Sequence, residues 1–184
     1  DNNDYTLAEN SPAIDMGALG VGCDPMDDDT YTGPWYVSVD GSNDGDGTID
    51  NPFPSIQSGI SVALAGDTVL VGPGTYNENI RYYGKSIVVS SIDGPLSTVI
   101  YSTGEETVKF YDQEGPGSIL TGFTITGNGN SMGIRLDNFS SPVLSNLVIY
   151  NKEYGIYVAH DCHPNISNVT LSDNDYGIYI MSSQ

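Results

Sequence analysis

Basic residues are scarce: five Lys and Arg stand against 24 Asp and Glu, a formal charge of −19. A chain without a basic patch gains nothing by releasing phosphate counterions, so nucleic acid and anionic membrane surfaces are excluded as principal partners. Cysteine is scarcer still. Cys23 and Cys162 lie far apart, which gives neither a disulfide framework nor the clustered spacing of a structural zinc site. Long apolar runs are missing too: no stretch approaches the roughly 18 residues of a membrane span, so no membrane insertion is expected. Asp1 is not followed by a basic-then-apolar signal region, so the chain reads as a processed product or an excised fragment. Charged residues make up only 16% of the chain, so the polar surface must come from Ser, Thr, Asn, Gly and 13 Tyr. That mixture suits strands and turns rather than surface helices.

What is present is a repeat. Gly133-Ile134-Arg135-Leu136, Gly155-Ile156-Tyr157-Val158 and Gly177-Ile178-Tyr179-Ile180 follow one another at intervals of 22 residues. Pro142 to Ile149 and Pro164 to Leu171 are offset by the same 22, while Ser118 to Ile125 precedes its partner by 24, which places two extra residues in a turn. A fixed period of this size means stacked units, each too small to bury its own apolar face. The apolar residues alternate with period two and are separated by Gly, Asn, Ser and Pro, so the unit is a coil of strands and not a helix pair. A coil that returns to its start stacks Ile134 on Ile156 on Ile178 at about 4.8 Å. Gly122, Asn146 and Asn168 are equivalent, and these residue types tolerate the left-handed backbone of a sharp bend. The expected fold is an all-β parallel β-helix with coils of about 22 residues.

Upstream, Thr68 to Val71, Ser86 to Val89, Thr98 to Tyr101 and Thr107 to Phe110 read as less regular strands, leaving room for about five coils after Asp67. Ser55 to Leu64 reads as a helix with a Ser N-cap and with Ile56, Ile60, Ala63 and Leu64 on one face. It fits a lid over the first coil. No lid follows Ile178 and Ile180. The expectation is therefore a solenoid that continues beyond Gln184 or stacks end to end on neighbouring copies or modules.

Trp35 to Ser42, Asn51 to Gln57, Gly66 to Val71 and Pro73 to Ile80 resemble the opening of secreted bacterial pectin-lyase-like right-handed β-helix proteins, and Leu120 to Thr126 with the later coils resembles their repeats. The resemblance covers roughly residues 35–184 and implies a right-handed solenoid and export; it does not imply chemistry. Residues 1–22, with Ser11-Pro12-Ala13-Ile14-Asp15-Met16-Gly17, are similar to the segment that closes a preceding module in multi-module surface proteins. Residues 23–34 then form an acidic linker.

Four constellations could carry chemistry. Asp40, Ser42, Asp44, Asp46 and Asp50 alternate around Gly45 as in a calcium loop, although Asn51 stands where a bidentate acid belongs; the other reading is a solvated turn without Ca2+. Arg135, Tyr157 and Tyr179 share one outward position in three coils. They would form either a glycan-binding row or a stacked ladder that stabilises an exposed sheet. His160, Asp161, Cys162 and His163 share a turn, but adjacent side chains rarely converge on one ion. Lyases of the resembled fold use a Lys or Arg base near acidic calcium ligands; the candidates are Arg81, Lys85, Lys109, Arg135 and Lys152, none in a sequence context that pairs it with several carboxylates on adjacent coils. Asp173 and Asp175 look like ordinary turn residues rather than paired acids for hydrolysis. The expected function is a non-catalytic extracellular scaffold or adhesive, glycan-binding module of a secreted or cell-surface protein, with an extracellular polysaccharide as its partner. The alternative is a polysaccharide lyase or glycoside hydrolase.

Overall fold

The structure is a computed structural model that describes residues 33–159 and 161–181. Segments 1–22 and 23–34, apart from Gly33 and Pro34, lie outside the described residues, as do Cys23 and His160. Fourteen strands and one helix are described.

Every ladder between strands is parallel. The chain winds about five coils around one apolar interior and presents three faces. The first face stacks β1 (Trp35–Val37), β2 (Thr68–Val71), β5 (Val88–Ser91), β8 (Ile119–Thr121) and the leading halves of β11 (Val143–Tyr150) and β13 (Asn165–Ser172). The second stacks β3 (Gly74–Asn77), β6 (Thr98–Ser102), β9 (Thr124–Gly127) and the trailing halves of β11 and β13. The third is a separate five-stranded sheet of β4 (Ile80–Arg81), β7 (Glu106–Phe110), β10 (Met132–Leu136), β12 (Tyr154–Val158) and β14 (Tyr176–Ile180).

The bend between the first two faces falls where the repeat places it. Gly122, Asn146 and Asn168 have φ of 84°, 56° and 52°, and the Asn168 side-chain amide donates to the Asn146 side-chain oxygen. Ile125 pairs with Ile149 at an offset of 24, whereas Met132 pairs with Tyr154 at 22, so the two extra residues sit in the turn after β9.

Inside, each face contributes a ladder of like residues. Val69, Val89, Leu120 and Leu144 stack in register on the first face, and Tyr76, Ile100, Ile125 and Ile149 on the second. Ile80, Val108, Ile134 and Ile156 do so on the third, all of these being buried. Burying each such side chain is worth about 1.5–3 kcal/mol, so the stack of coils supplies what no single coil can. Ile178 continues the third ladder but is half exposed.

The helix α1 (Ile56–Val62) lies against β1, β2 and β4. Ser55 caps it, its hydroxyl accepting from the Ser58 backbone N–H. Ile56, Ile60 and Ala63 are buried as a lid requires, but Leu64 is not on that face. The helix stops at Val62, Ala63 turns to an extended ψ of 140°, and Leu64 is left exposed. Glu78 accepts hydrogen bonds from the Ile56 and Gln57 N–H groups at 2.8 and 2.9 Å. Lys85 Nζ donates to the carbonyls of Ile60, Ser61 and Ala63 at 2.7, 2.7 and 2.9 Å. Both orphaned ends of the short helix are thus satisfied from the first coil.

Among the described residues no helix is long and apolar enough to cross a membrane.

Candidate functional site on the third face

Side chains alternate along a strand, so the residues between the buried positions of the third face point outward. Register aligns five of them: Arg81 with Lys109, Lys109 with Arg135, Arg135 with Tyr157, and Tyr157 with Tyr179. Three of the chain's five cations therefore stand in one outward row that runs into two tyrosines. Glu106, Met132, Tyr154 and Tyr176 form a second row beside it.

The cationic half is tied together by carboxylates. Glu106, at the start of β7 and nearly buried, receives Lys109 Nζ at 2.9 Å, an Arg135 guanidinium N–H at 3.0 Å and the Tyr111 hydroxyl at 2.7 Å. Asp137 takes a second Arg135 N–H at 3.0 Å. Asp112 accepts two bonds from Arg81, at 3.0 and 2.9 Å. The guanidinium of Arg81 lies 5.0 and 5.7 Å from the ring centres of Tyr83 and Tyr111, and that of Arg135 lies 5.1 and 5.5 Å from Tyr111 and Tyr157. Cations and rings thus alternate across the face.

The electrostatics follow from this packing. Burial by itself would raise the Glu106 carboxyl, but the bonds from Tyr111, Lys109 and Arg135 and the Lys109 charge bring it below its ordinary value. Burial and the bond to Glu106 push the Tyr111 phenol up. Burial opposes the Arg135 charge, yet the bonds to Asp137 and Glu106 hold its pKa above the usual value, and the bond to Asp112 does the same for Arg81. Arg135 Nε is buried and finds no acceptor among the described residues.

The tyrosine half is a cluster of four. Tyr154 stacks on Tyr176 at 5.0 Å and Tyr157 on Tyr179 at 5.3 Å, and the two stacks meet edge to face at 5.3 to 6.0 Å. Each ring lends a face to its neighbour, as a stabilising ladder does. At the opposite end the row opens into a cavity of about 250 Å³ lined by Gln57, Asn79, Ile80, Arg81, Tyr83 and Lys109. A larger hollow of about 420 Å³ between the 43–54 loop and α1 has no ionisable side chain in its lining.

The other two cations do different work. Lys85 closes the end of α1, and Lys152 is buried in the turn between β11 and β12. Its Nζ donates to Thr107 Oγ1 at 2.8 Å, Ser131 Oγ at 3.1 Å and the Ser102 carbonyl at 3.5 Å. With no carboxylate among these partners, burial lowers its pKa to about 8.

The acidic loop lies at the surface. Asp40, Ser42, Asp44, Asp46 and Asp50 are all exposed, and among the described residues no three of His, Cys, Asp and Glu come together around a point where an ion could sit. Its oxygens serve local turns. Asp46 Oδ1 accepts from the Thr48 N–H and hydroxyl at 3.0 and 2.7 Å, and Ser42 Oγ accepts from the Asp44 N–H at 3.2 Å. Those Thr48 bonds hold the Asp46 carboxyl below its ordinary value. Around the 160–163 turn, Cys162 is a buried free thiol raised chiefly by burial, and the His163 ring sits 3.2 Å from the Asp161 carbonyl. Asp173 occupies the left-handed corner position, φ 52°, that Asn151 holds one coil earlier, as turn chemistry predicts.

Comparison with known proteins agrees with this architecture. A family described as "Right handed beta helix region" matches residues 44–184. Pectate lyase PEL9 of Emericella nidulans is 29% identical over 161 residues, covering 65% of this chain and 38% of the relative. The chain thus spans well under half the length of that protein. No solved structure matches significantly.

Proposed function

This chain belongs to the right-handed β-helix family, and on that scaffold we propose that the third face is a glycan-binding surface of an extracellular protein. The observation that carries the reading is the in-register row Arg81, Lys109, Arg135, Tyr157 and Tyr179. A solenoid repeats its outward positions at about 4.8 Å, so a row offers equivalent groups along a line, which suits a polymer lying along the axis. Guanidinium and carboxylate groups in fixed pairs hydrogen-bond hydroxyls, and phenol rings and hydroxyls supply amphipathic contacts.

A second reading has one favouring observation: the matched relative is named a pectate lyase. Lyase chemistry needs a base that can give up its proton near the working pH. Both arginines are held charged by carboxylates, Lys109 is paired with Glu106 and Lys85 is spent on carbonyls, while Lys152, with its pKa lowered to about 8, is buried out of a substrate's reach. These engagements support binding over cleavage.

A glycan array probed with the wild-type chain, Arg135→Ala and Tyr157→Ala decides between them. We expect binding that falls at least tenfold in both variants, with no ultraviolet-absorbing unsaturated product and no new reducing ends. Turnover abolished by Arg135→Ala or Lys109→Ala would replace this reading with the enzymatic one.

A further inference from the structure

We infer that this face, if it binds glycans as proposed above, selects uncharged glycans over polyanionic ones. Three cations line the row, and each meets a carboxylate within 3.0 Å: Arg81 with Asp112, Lys109 with Glu106, and Arg135 with both Glu106 and Asp137. Three positive and three negative groups leave the row without net charge. Toward the tyrosine end Glu153 adds an acid next to Tyr154, where burial and the Glu153 charge raise the pKa of the phenol. The nearest lysine in sequence, Lys152, points into the interior.

Each cation already has a carboxylate hydrogen-bonded to it. One bidentate edge of Arg81, formed by Nε and a terminal nitrogen, is held by Asp112, and Arg135 divides its terminal nitrogens between Glu106 and Asp137. A ligand carboxylate would either stand beside one of these acids against its like charge or displace it, and for Glu106 displacement means leaving a nearly buried charge without its partners. The broad field of a chain at −19 opposes a polyanion before it arrives. A sugar hydroxyl meets neither obstacle. It donates to the spare lone pairs of Glu106, Asp112 or Asp137 and accepts from Lys109 or a phenol, displacing water rather than an ion partner.

Titration calorimetry on the whole chain provides the test, using neutral hexasaccharides of glucose, xylose and mannose beside hexagalacturonate, each at 20 and 300 mM NaCl. We expect one or more neutral ligands to bind at least tenfold tighter than hexagalacturonate, with less than a twofold change in Kd between the two salts. Asp112→Asn, a change at a half-exposed site, frees Arg81 and should improve hexagalacturonate binding several-fold at low salt. Tighter hexagalacturonate binding by the wild type, weakened by salt and lost in Tyr157→Ala, would overturn the selectivity while leaving the binding face intact. Failure of every ligand to bind would remove both.

Discussion

Arg135 lies on the outside of the third face with carboxylates 3.0 Å away on two sides, whereas Lys152, beyond the next strand β11, lies inside the wall with hydroxyls and a carbonyl for company. Stacking explains the contrast. Parallel register sets outward residues of neighbouring coils about 4.8 Å apart, so an acid on one coil compensates a base on the next without either leaving its strand. The interior corner offers the stacked Ser and Thr of earlier turns, which solvate an ammonium but cannot neutralise it. The outer cation is held charged, and the inner one is pushed toward neutrality.

The largest expected effect breaks the outer side of this contrast. Glu106→Ala leaves Lys109, Arg135 and Tyr111 without a shared acceptor at a nearly buried point. A fully buried pair so broken costs about 3–5 kcal/mol, and the part exposure of both cations reduces that to about 2 kcal/mol. Urea melts at pH 7 should show the midpoint falling with the slope unchanged. The pH dependence follows from the lowered carboxyl. Its stabilisation is complete above its ordinary value of 4.5 and is lost as pH falls through the lower folded value. Wild type and variant should therefore converge in acid.

Lys152→Met tests the inner side and should act in the opposite direction. A folded pKa of about 8 against an ordinary 10.5 means that the charged form is penalised in the fold. The penalty is fully present below pH 8 and vanishes as pH rises toward 10.5, because over that window the unfolded chain holds the extra proton. Its size is on the order of 3 kcal/mol, and losing the bonds to Thr107 and Ser131 offsets about half. A net gain of about 1–2 kcal/mol is expected at pH 6, disappearing by pH 10. Subtracting the two melting series cancels the tyrosines, among them Tyr76, which burial carries to about 12. A variant less stable than wild type at pH 6 would show that the hydrogen bonds outweigh the buried charge.

These two sites also mark what the sequence reveals and what it hides. Where coils keep a strict period of 22, the row Arg135, Tyr157, Tyr179 and the inner ladder Ile134, Ile156, Ile178 can be read by counting. Upstream the same row continues through Lys109 and Arg81, but at spacings of 26 and 28, because longer turns intervene before β8 and β6. Counting alone misses both cations. Glu106, the centre of the network, opens a strand and looks like one more surface acid. Lys152, between Asn151 and Glu153, reads as an ordinary turn residue, and nothing local shows that its stem enters the wall. The acidic loop admits two readings: alternating oxygens fit a calcium pattern and fit a succession of Asx and Ser turns equally well.

Replacing Tyr179 by Ala sharpens the comparison within the outer face. The ring stacks on Tyr157 and meets Tyr154 and Tyr176 edge-on. Stacked and edge-to-face aromatic pairs are worth about 0.5–1.5 kcal/mol each when packed. Tyr179 is over a third exposed, so a loss of about 1 kcal/mol is expected, with near-ultraviolet dichroism reporting the lost ring coupling. A loss in stability no larger than the error of the melts, beside a large loss of glycan binding, would assign the ladder to recognition alone.

The smallest expected effect concerns the acids that no base compensates. Were Asp40, Asp44, Asp46 and Asp50 to enclose a calcium ion, saturation at a hundredfold excess over Kd would stabilise the fold by about 2.7 kcal/mol. For a chain of this size that corresponds to a rise in Tm of roughly 5–10 °C. The exposed carboxylates do not converge, and Asp46 is committed to Thr48. Calcium then acts only as a counterion to a chain of −19, an effect that magnesium or matched sodium chloride reproduces. Melts in 2 mM calcium, in 2 mM magnesium and in chelator at equal ionic strength should agree within about 1 °C. A rise of several degrees with calcium alone would mean that the loop closes on the ion, and that its acids, like those around Arg135, require a positive partner.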